Sequence, residues 1–344
     1  MSIPATTLTN SLLLFTLCAA VVWFAGARLA YLADALADRF NLAKSLVGLL
    51  LLSLATSLPE VATTLSAAVS QAQNLVLNNL FGGIALQTAI LGVADFWARG
   101  PITNYPRKAN HALEATLLVL LLSLTLIVTM MDEPVSLFQI GPGSVLIAFC
   151  YAGTIWLLRR YDGSSDWVPV DLPEPQAPQF LDVLDDAITN RSLIVQIIAA
   201  CVAILIFGLL LVVLAERIAV QSGLGTSFIG VTLLAGATSL PELTTSITAA
   251  RIGAYTMAIS NIFGSNLIML VLVFPADILY RGGPILQGAS PTVSLALAFG
   301  IAVTAIYLVG LIVRRKPRIG VLGLDSVLVM VTFLVSLVAY YFVR

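Results

Sequence analysis

Two glutamates stand in identical surroundings far apart in the sequence. The segment Ala55-Thr56-Ser57-Leu58-Pro59-Glu60 returns as Ala237-Thr238-Ser239-Leu240-Pro241-Glu242, at an offset of 182. In each copy a threonine and a serine precede the glutamate by four and three residues, so on a helix their hydroxyls share its face. The proline before each glutamate brings no amide and weakens the preceding turn. Carbonyls near Ser53 to Ala55 and near Ala235 to Ala237 are therefore expected to be free. Carboxylate, hydroxyl and carbonyl oxygens are the donors a hard divalent cation takes. Two carboxylates brought together would repel, and they need a cation between them or a proton to neutralise one.

The surroundings of this chemistry are apolar. Of 344 residues 59% are hydrophobic and 10% charged, and the mean hydropathy is +1.00. Soluble domains carry about 25% charged residues, so this is the composition of a membrane protein. Apolar runs of the roughly 20 residues needed to span a bilayer recur along the chain. Ten helices are expected, at about 11–38, 44–70, 75–98, 110–131, 140–160, 191–217, 226–251, 256–280, 291–313 and 320–342. The first is too long for a signal peptide and is expected to be retained. Glu60 and Glu242 then fall in mid-membrane, with no lysine or arginine at that depth beside them. A carboxylate there marks a functional site by default. Ser, Thr, Gly and Pro also serve close helix packing, but two copies in register, each with an unpaired acid, favour an ion site.

The repeat extends well beyond the hexad. Residues 48–100 match 230–282 without a gap at 20 of 53 positions, including Asn79 with Asn261, Asp95 with Asp277 and Arg99 with Arg281. The stretch 161–190 is rich in Pro and Asp and reads as an extended linker. It leaves a first five-helix repeat over 1–160 and a second over 191–344. An odd helix count per half makes the second repeat enter the membrane from the opposite side, the inverted plan of secondary transporters. The fold class expected is thus an all-α polytopic membrane protein, with ten transmembrane helices in two inverted five-helix repeats. With the N-terminus outside, 13 Lys and Arg near helix ends face inward and 3 outward. Both termini are then extracytoplasmic and the linker cytoplasmic, in the cell (inner or plasma) membrane.

Other polar residues read more simply. Cys18, Cys150 and Cys201 lie in apolar stretches without a CxxC pattern and read as packing residues. The single histidine, His111, reads as interfacial, and Glu114 as able to face water. Asp95 with Arg99 and Asp277 with Arg281 are i,i+4 pairs and read as interfacial anchors, with Asp34 and Glu216 wet. Asn79 and Asn261 are either braces for the site or helix caps, while Gln87 and Ser265 are polar within reach of an ion.

The paired A-T-S-L-P-E segments, each followed about 22 residues later by Gly82-Gly83 or Gly264-Ser265, resemble the α-repeats of the cation/calcium exchanger superfamily, in its sodium/calcium exchanger branch. The resemblance spans about 26–100 and 208–282. It implies the ten-helix inverted fold and exchange of calcium for sodium by alternating access. Carried onto this chain, it implies calcium ligands at Glu60, Glu242, Thr56 and Thr238, sodium-site hydroxyls at Ser57, Ser239 and Ser265, and carbonyl ligands at Ser53 and Ala235. This sequence departs from the family pattern at Gly83, where a serine is usual, at Gln87, where an asparagine is usual, and at Met269, where an acid is usual. The site therefore has one hydroxyl and one carboxylate fewer.

The function expected is a secondary antiporter for a divalent cation, with calcium and sodium as transported ions and protons as the alternative coupling ion. No cofactor and no enzyme activity are expected, since no histidine accompanies Ser57 or Ser239. The expected partners are inorganic cations and the lipid bilayer, not nucleic acid. A passive cation channel is the rival reading. Channels commonly close a carboxylate ring by oligomerising, whereas this chain supplies its pair internally.

Overall fold

The computed structural model describes residues 7–106, 109–131, 139–162, 189–222, 235–313 and 317–343. Among these, the regular elements are helices apart from one short hairpin of two-residue strands, β1 (Arg318–Ile319) with β2 (Leu322–Gly323). The helices are α1 (Leu8–Arg39), α2 (Lys44–Thr56), α3 (Leu58–Val69), α4 (Gln73–Ala94), α5 (Asn110–Met130), α6 (Pro142–Asp162), α7 (Asn190–Gln221), α8 (Leu240–Arg251), α9 (Tyr255–Val271), α10 (Val273–Leu279), α11 (Pro291–Ile312) and α12 (Leu324–Val343). Eight helices among the described residues are long and apolar enough to cross a membrane, and α2 with α3, bent by 52°, makes a ninth. The expected seventh span begins at residues outside the description and is seen from Ala235 onward. Most of the 161–190 linker also lies outside the described residues.

Two helices form the centre. The apolar windows of Gln73–Trp97 and Tyr255–Leu279 are 67% and 72% buried, against 22% for α1 and 17% for α12. Leucines, isoleucines and phenylalanines of α4 and α9, among them Phe81 and Phe263, are fully enclosed. The outer helices expose Phe24, Phe149 and Phe342 by 73 to 77%, which suits a lipid face rather than water. Helix α1 packs along α7, α11 lies against α4, α5 and α12, and α9 crosses α2, α4, α5 and α8.

The two hexads fold alike. Ser57 (φ −83°, ψ 3°) breaks the helix between α2 and α3, and Ser239 (φ −84°, ψ 5°) does the same before α8. Each following helix starts with Leu-Pro-Glu, which places proline in the first turn, where its missing amide costs nothing. The sequence pattern suggested a proline inside one helix. In the structure the proline instead opens a second helix after a break.

Glycines set how closely the outer helices approach these breaks. A Cβ on Gly208 of α7 would lie 2.5 Å from Pro59 Cγ, and one on Gly26 of α1 would collide with Thr244 of α8. Gly26 and Gly208 are themselves related by the offset of 182. Helix α9 is equally tight on α2: a Cβ on Gly264 would lie 2.5 Å from Leu49 O and 2.7 Å from the Ser53 side chain.

Asp95 and Asp277 correct the reading of them as interfacial anchors paired with Arg99 and Arg281. Both are buried. Asp95 accepts from Ile102 N (2.8 Å), Ser326 Oγ (2.5 Å) and Gly323 N (3.4 Å). Asp277 accepts from Ile285 N (2.7 Å), Ser144 Oγ (2.5 Å) and Gly141 N (2.8 Å). Each aspartate thus ties the end of a central helix to the start of a helix from the other half of the chain. A carboxylate that collects backbone amides needs no basic partner. Asp34 is likewise buried rather than wet, with Lys44 Nζ at 2.6 Å. Glu216 is exposed, as expected. Of the cysteines, Cys18 is buried and Cys150 and Cys201 are half-buried, all as free thiols.

Candidate cation site

The breaks at Ser57 and Ser239 bring the two hexads together. Glu60 and Glu242, in the first turns of α3 and α8, are exposed by only 3% and 0%. They lie close enough for the charge of one to act on the other. Ser57 Oγ donates to Glu242 Oε1 at 3.2 Å, and Thr56 stands beside the same carboxylate. Glu242 Oε2 and both oxygens of Glu60 are buried without a hydrogen-bond partner. Neither glutamate has a lysine, arginine or histidine in salt-bridge range among the described residues.

Further oxygens without partners are buried in the same central helices, at Gln87 Oε1 of α4 and Ser265 Oγ of α9. Thr56, Ser57, Thr238 and Ser239 are all buried. Three unsatisfied carboxylate oxygens away from water are costly unless something positive joins them. No group of three or more His, Cys, Asp and Glu forms among the described residues. The anionic donors are two, and every other candidate donor is neutral.

The carbonyl expectation needs correction. Ser53 O accepts from Ser57 N (3.0 Å) and Thr56 Oγ1 (3.3 Å), and Ala235 O accepts from Ser239 N (3.0 Å) and Thr238 Oγ1 (3.1 Å). These carbonyls are bonded because the helix continues as far as the serine. Only further along, at Ala55 and Ala237, does the proline fail to return an amide. The Ser53 side chain is itself turned back onto Leu49 O.

Asn79 and Asn261 brace the site and cap nothing. Asn79 Nδ2 donates to Thr64 Oγ1 at 2.7 Å and lies 3.3 Å from Thr63 Oγ1. Asn261 Nδ2 donates to Thr245 Oγ1 at 3.0 Å, and Thr56 Oγ1 lies 3.5 Å from Asn261 Oδ1. Asn261 therefore touches the segments on both sides of the site.

Sequence reasoning passed over two residues. Ser246 Oγ and Asn266 Oδ1 are also buried without partners. Ser246 stands one turn after Glu242 on α8 and so shares its face, a signal the sequence carried. Asn266 donates to Thr88 Oγ1 at 3.2 Å; its side faces α4, which no motif announced.

The sequence profile described as "Sodium/calcium exchanger protein" matches residues 10–159 and 192–342, once in each half. The chain belongs to that family. It is an integral membrane cation exchanger, in a family of transporters and not of enzymes. Among its relatives, the inner membrane protein YrbG of Escherichia coli K12 is 27% identical over 279 residues, 77% of this chain and 78% of YrbG. The sodium/calcium exchanger MaX1 of Methanosarcina acetivorans is 24% identical over 263 residues, 70% of this chain and 75% of MaX1. Solved structures of the sodium-calcium exchanger NCX_Mj superpose with a TM-score of 0.71 at 17% identity, covering 97% of this chain and 99% of that one. At that identity the likeness is one of fold.

Proposed function

We propose that this chain exchanges calcium for sodium by alternating access, holding its ions between Glu60 and Glu242. One observation carries the reading: two carboxylates from equivalent segments meet in the apolar centre, with three of their four oxygens unpartnered and no basic group at hand among the described residues. A divalent cation satisfies both charges at once. Thr56, Thr238, Ser57, Ser239, Ser265 and Gln87 supply neutral oxygens, and the Ser53 and Ala235 carbonyls join them by releasing the Thr56 and Thr238 hydroxyls from which they accept. The names of the family and of MaX1 support the choice of ions.

The architecture that goes with this function is ten helices in two inverted repeats, 1–160 and 191–344, joined by the cytoplasmic linker 161–190, with both termini outside the cell membrane. The shared geometry of the two hexads, the paired glycines Gly26 and Gly208 and the matched bonds of Asp95 and Asp277 support it. With two carboxylates, a neutral site holds one divalent ion or two monovalent ions. Protons are the second reading for the coupling ion, because two carboxylates also hold two protons.

Purified protein in sealed vesicles, loaded with calcium and given an outward or inward gradient of sodium, potassium or protons in turn, tests the proposal. Calcium movement driven by sodium alone is the expected result. Movement driven only by protons selects the second reading. Movement that needs no counter-ion gradient and does not saturate rejects exchange at this site.

A further inference from the structure

His111, Glu114 and Ser260 form a closed polar cluster that the cation site does not use. His111 and Glu114 lie one turn apart at the start of α5, and Ser260 faces them from α9. All three are buried, with exposures of 3%, 2% and 0%. His111 Nδ1 lies 2.9 Å from Glu114 Oε2, and Ser260 Oγ donates to both Glu114 oxygens at 2.8 and 2.9 Å, with Nδ1 3.1 Å away. This corrects the reading of His111 as interfacial and of Glu114 as facing water. The sequence signal was there in a His and a Glu three apart on one helix face.

The cluster exists in one half only. At the offset of 182 its three positions are occupied by Val293, Ala296 and Asn78. Whereas Asp95 and Asp277 repeat each other's bonds, this imidazole and carboxylate stand together in one half alone. We propose that His111 and Glu114 form a proton-binding site, separate from Glu60 and Glu242, whose occupancy slows exchange by fastening α5 to α9.

The chemistry is a simple protonation. An imidazole that gains a proton becomes a cation whose Nδ1–H faces both Glu114 Oε2 and, on α9, Ser260 Oγ, so its bond to Glu114 becomes an ion pair and its contact with α9 gains a charged donor. The consequence reaches the transport site through the chain. Ser260 is followed by Asn261, whose amide touches Thr56 and Thr245 on opposite sides of the site. The helices packed on α5 bring few competing groups. Tyr255 is the one titratable side chain of α9 and Tyr307 that of α11; α6 carries Cys150, Tyr151, Arg159, Arg160, Tyr161 and Asp162, with both arginines exposed.

The test uses the whole protein in vesicles, with calcium flux measured at saturating calcium while one side is brought from about pH 8 to about pH 6. Protons at the glutamate pair compete with calcium, and saturation removes their effect. A proton on the cluster lowers the maximal rate instead, by on the order of tenfold, the worth of one charge-assisted hydrogen bond. The drop is expected from one side only, and His111→Gln and Glu114→Gln are expected to abolish it. The chain has a single histidine, so the ring-nitrogen NMR signals of labelled wild-type protein in nanodiscs report this site alone. They should titrate over the same pH range as the maximal rate. Ring signals that stay constant over that range overturn the proposal, whether or not the variants fold and whichever ion drives the flux. An equal fall in rate in wild type and both variants overturns it as well.

Discussion

Ser57 donates a hydrogen bond to Glu242 across the boundary between the two halves, while the counterpart Ser239 leaves both oxygens of Glu60 without a partner. The two hexads are identical in sequence, yet their glutamates are not equivalently held. Ser57→Ala should therefore weaken calcium binding more than Ser239→Ala. A hydrogen bond to a charged group is worth about 1.5–3 kcal/mol, so a loss of roughly tenfold or more is expected for Ser57→Ala. Calorimetric titration of both variants in detergent checks the difference.

Gly83 occupies the place where the family pattern has a serine, and a Cβ added there meets nothing within 4 Å. Gly83→Ser should fold as wild type does and give monovalent ions one more hydroxyl. Met269→Asp would restore a third fixed charge in the buried centre. Sodium-driven flux is expected to show a Hill coefficient of about 2 or less in the wild type and to respond little to imposed voltage, because two carboxylates balance one divalent or two monovalent ions. Gly83→Ser should raise sodium affinity. Met269→Asp should raise sodium affinity or electrogenicity, or else make transport more sensitive to pH. Strong voltage dependence in the wild type would refute the charge balance.

Asp277 gathers two amides and the Ser144 hydroxyl, and Asp95 gathers the matching set. Asn at position 277 turns one acceptor into a donor that faces other donors. Asp277→Asn should lower stability by about 2–4 kcal/mol, the cost of unsatisfied bonds to a buried charge. A thermal melt in detergent reads this loss, which should be far smaller for Glu216→Gln on the exposed surface.

The inverted architecture is tested by accessibility. Single cysteines placed in 161–190 should be labelled by an impermeant reagent only from the cytoplasm, and those in 132–139 only from outside, in a background where Cys18, Cys150 and Cys201 are removed. Labelling of both loops from the same side would contradict five helices per half.

Much of this was legible in the sequence because it rests on repetition and depth. The offset of 182 located both glutamates, and the apolar runs predicted helices that begin and end within a few residues of those observed, apart from the seventh, whose start lies outside the described residues. What was not legible depends on who meets whom. The i,i+4 spacing of Asp95 with Arg99 suggested a local pair, whereas the aspartate reaches a helix more than two hundred residues away. Nothing in α5 alone says that Ser260 will close over Glu114. The break at Ser57 was hidden for a different reason, since proline near a helix start and proline inside a helix look the same until the preceding residue's dihedral angles are known.

The central claim is that Glu60 and Glu242 together hold the transported cation. Calcium binding and sodium-driven calcium flux, measured side by side for wild type, Glu60→Gln and Glu242→Gln at matched folding, test it most directly. Both variants are expected to keep their melting behaviour, or to gain stability as the repulsion between the carboxylates is relieved. Each is expected to lose flux and saturable calcium binding. Flux and binding equal to wild type in either variant would contradict the account.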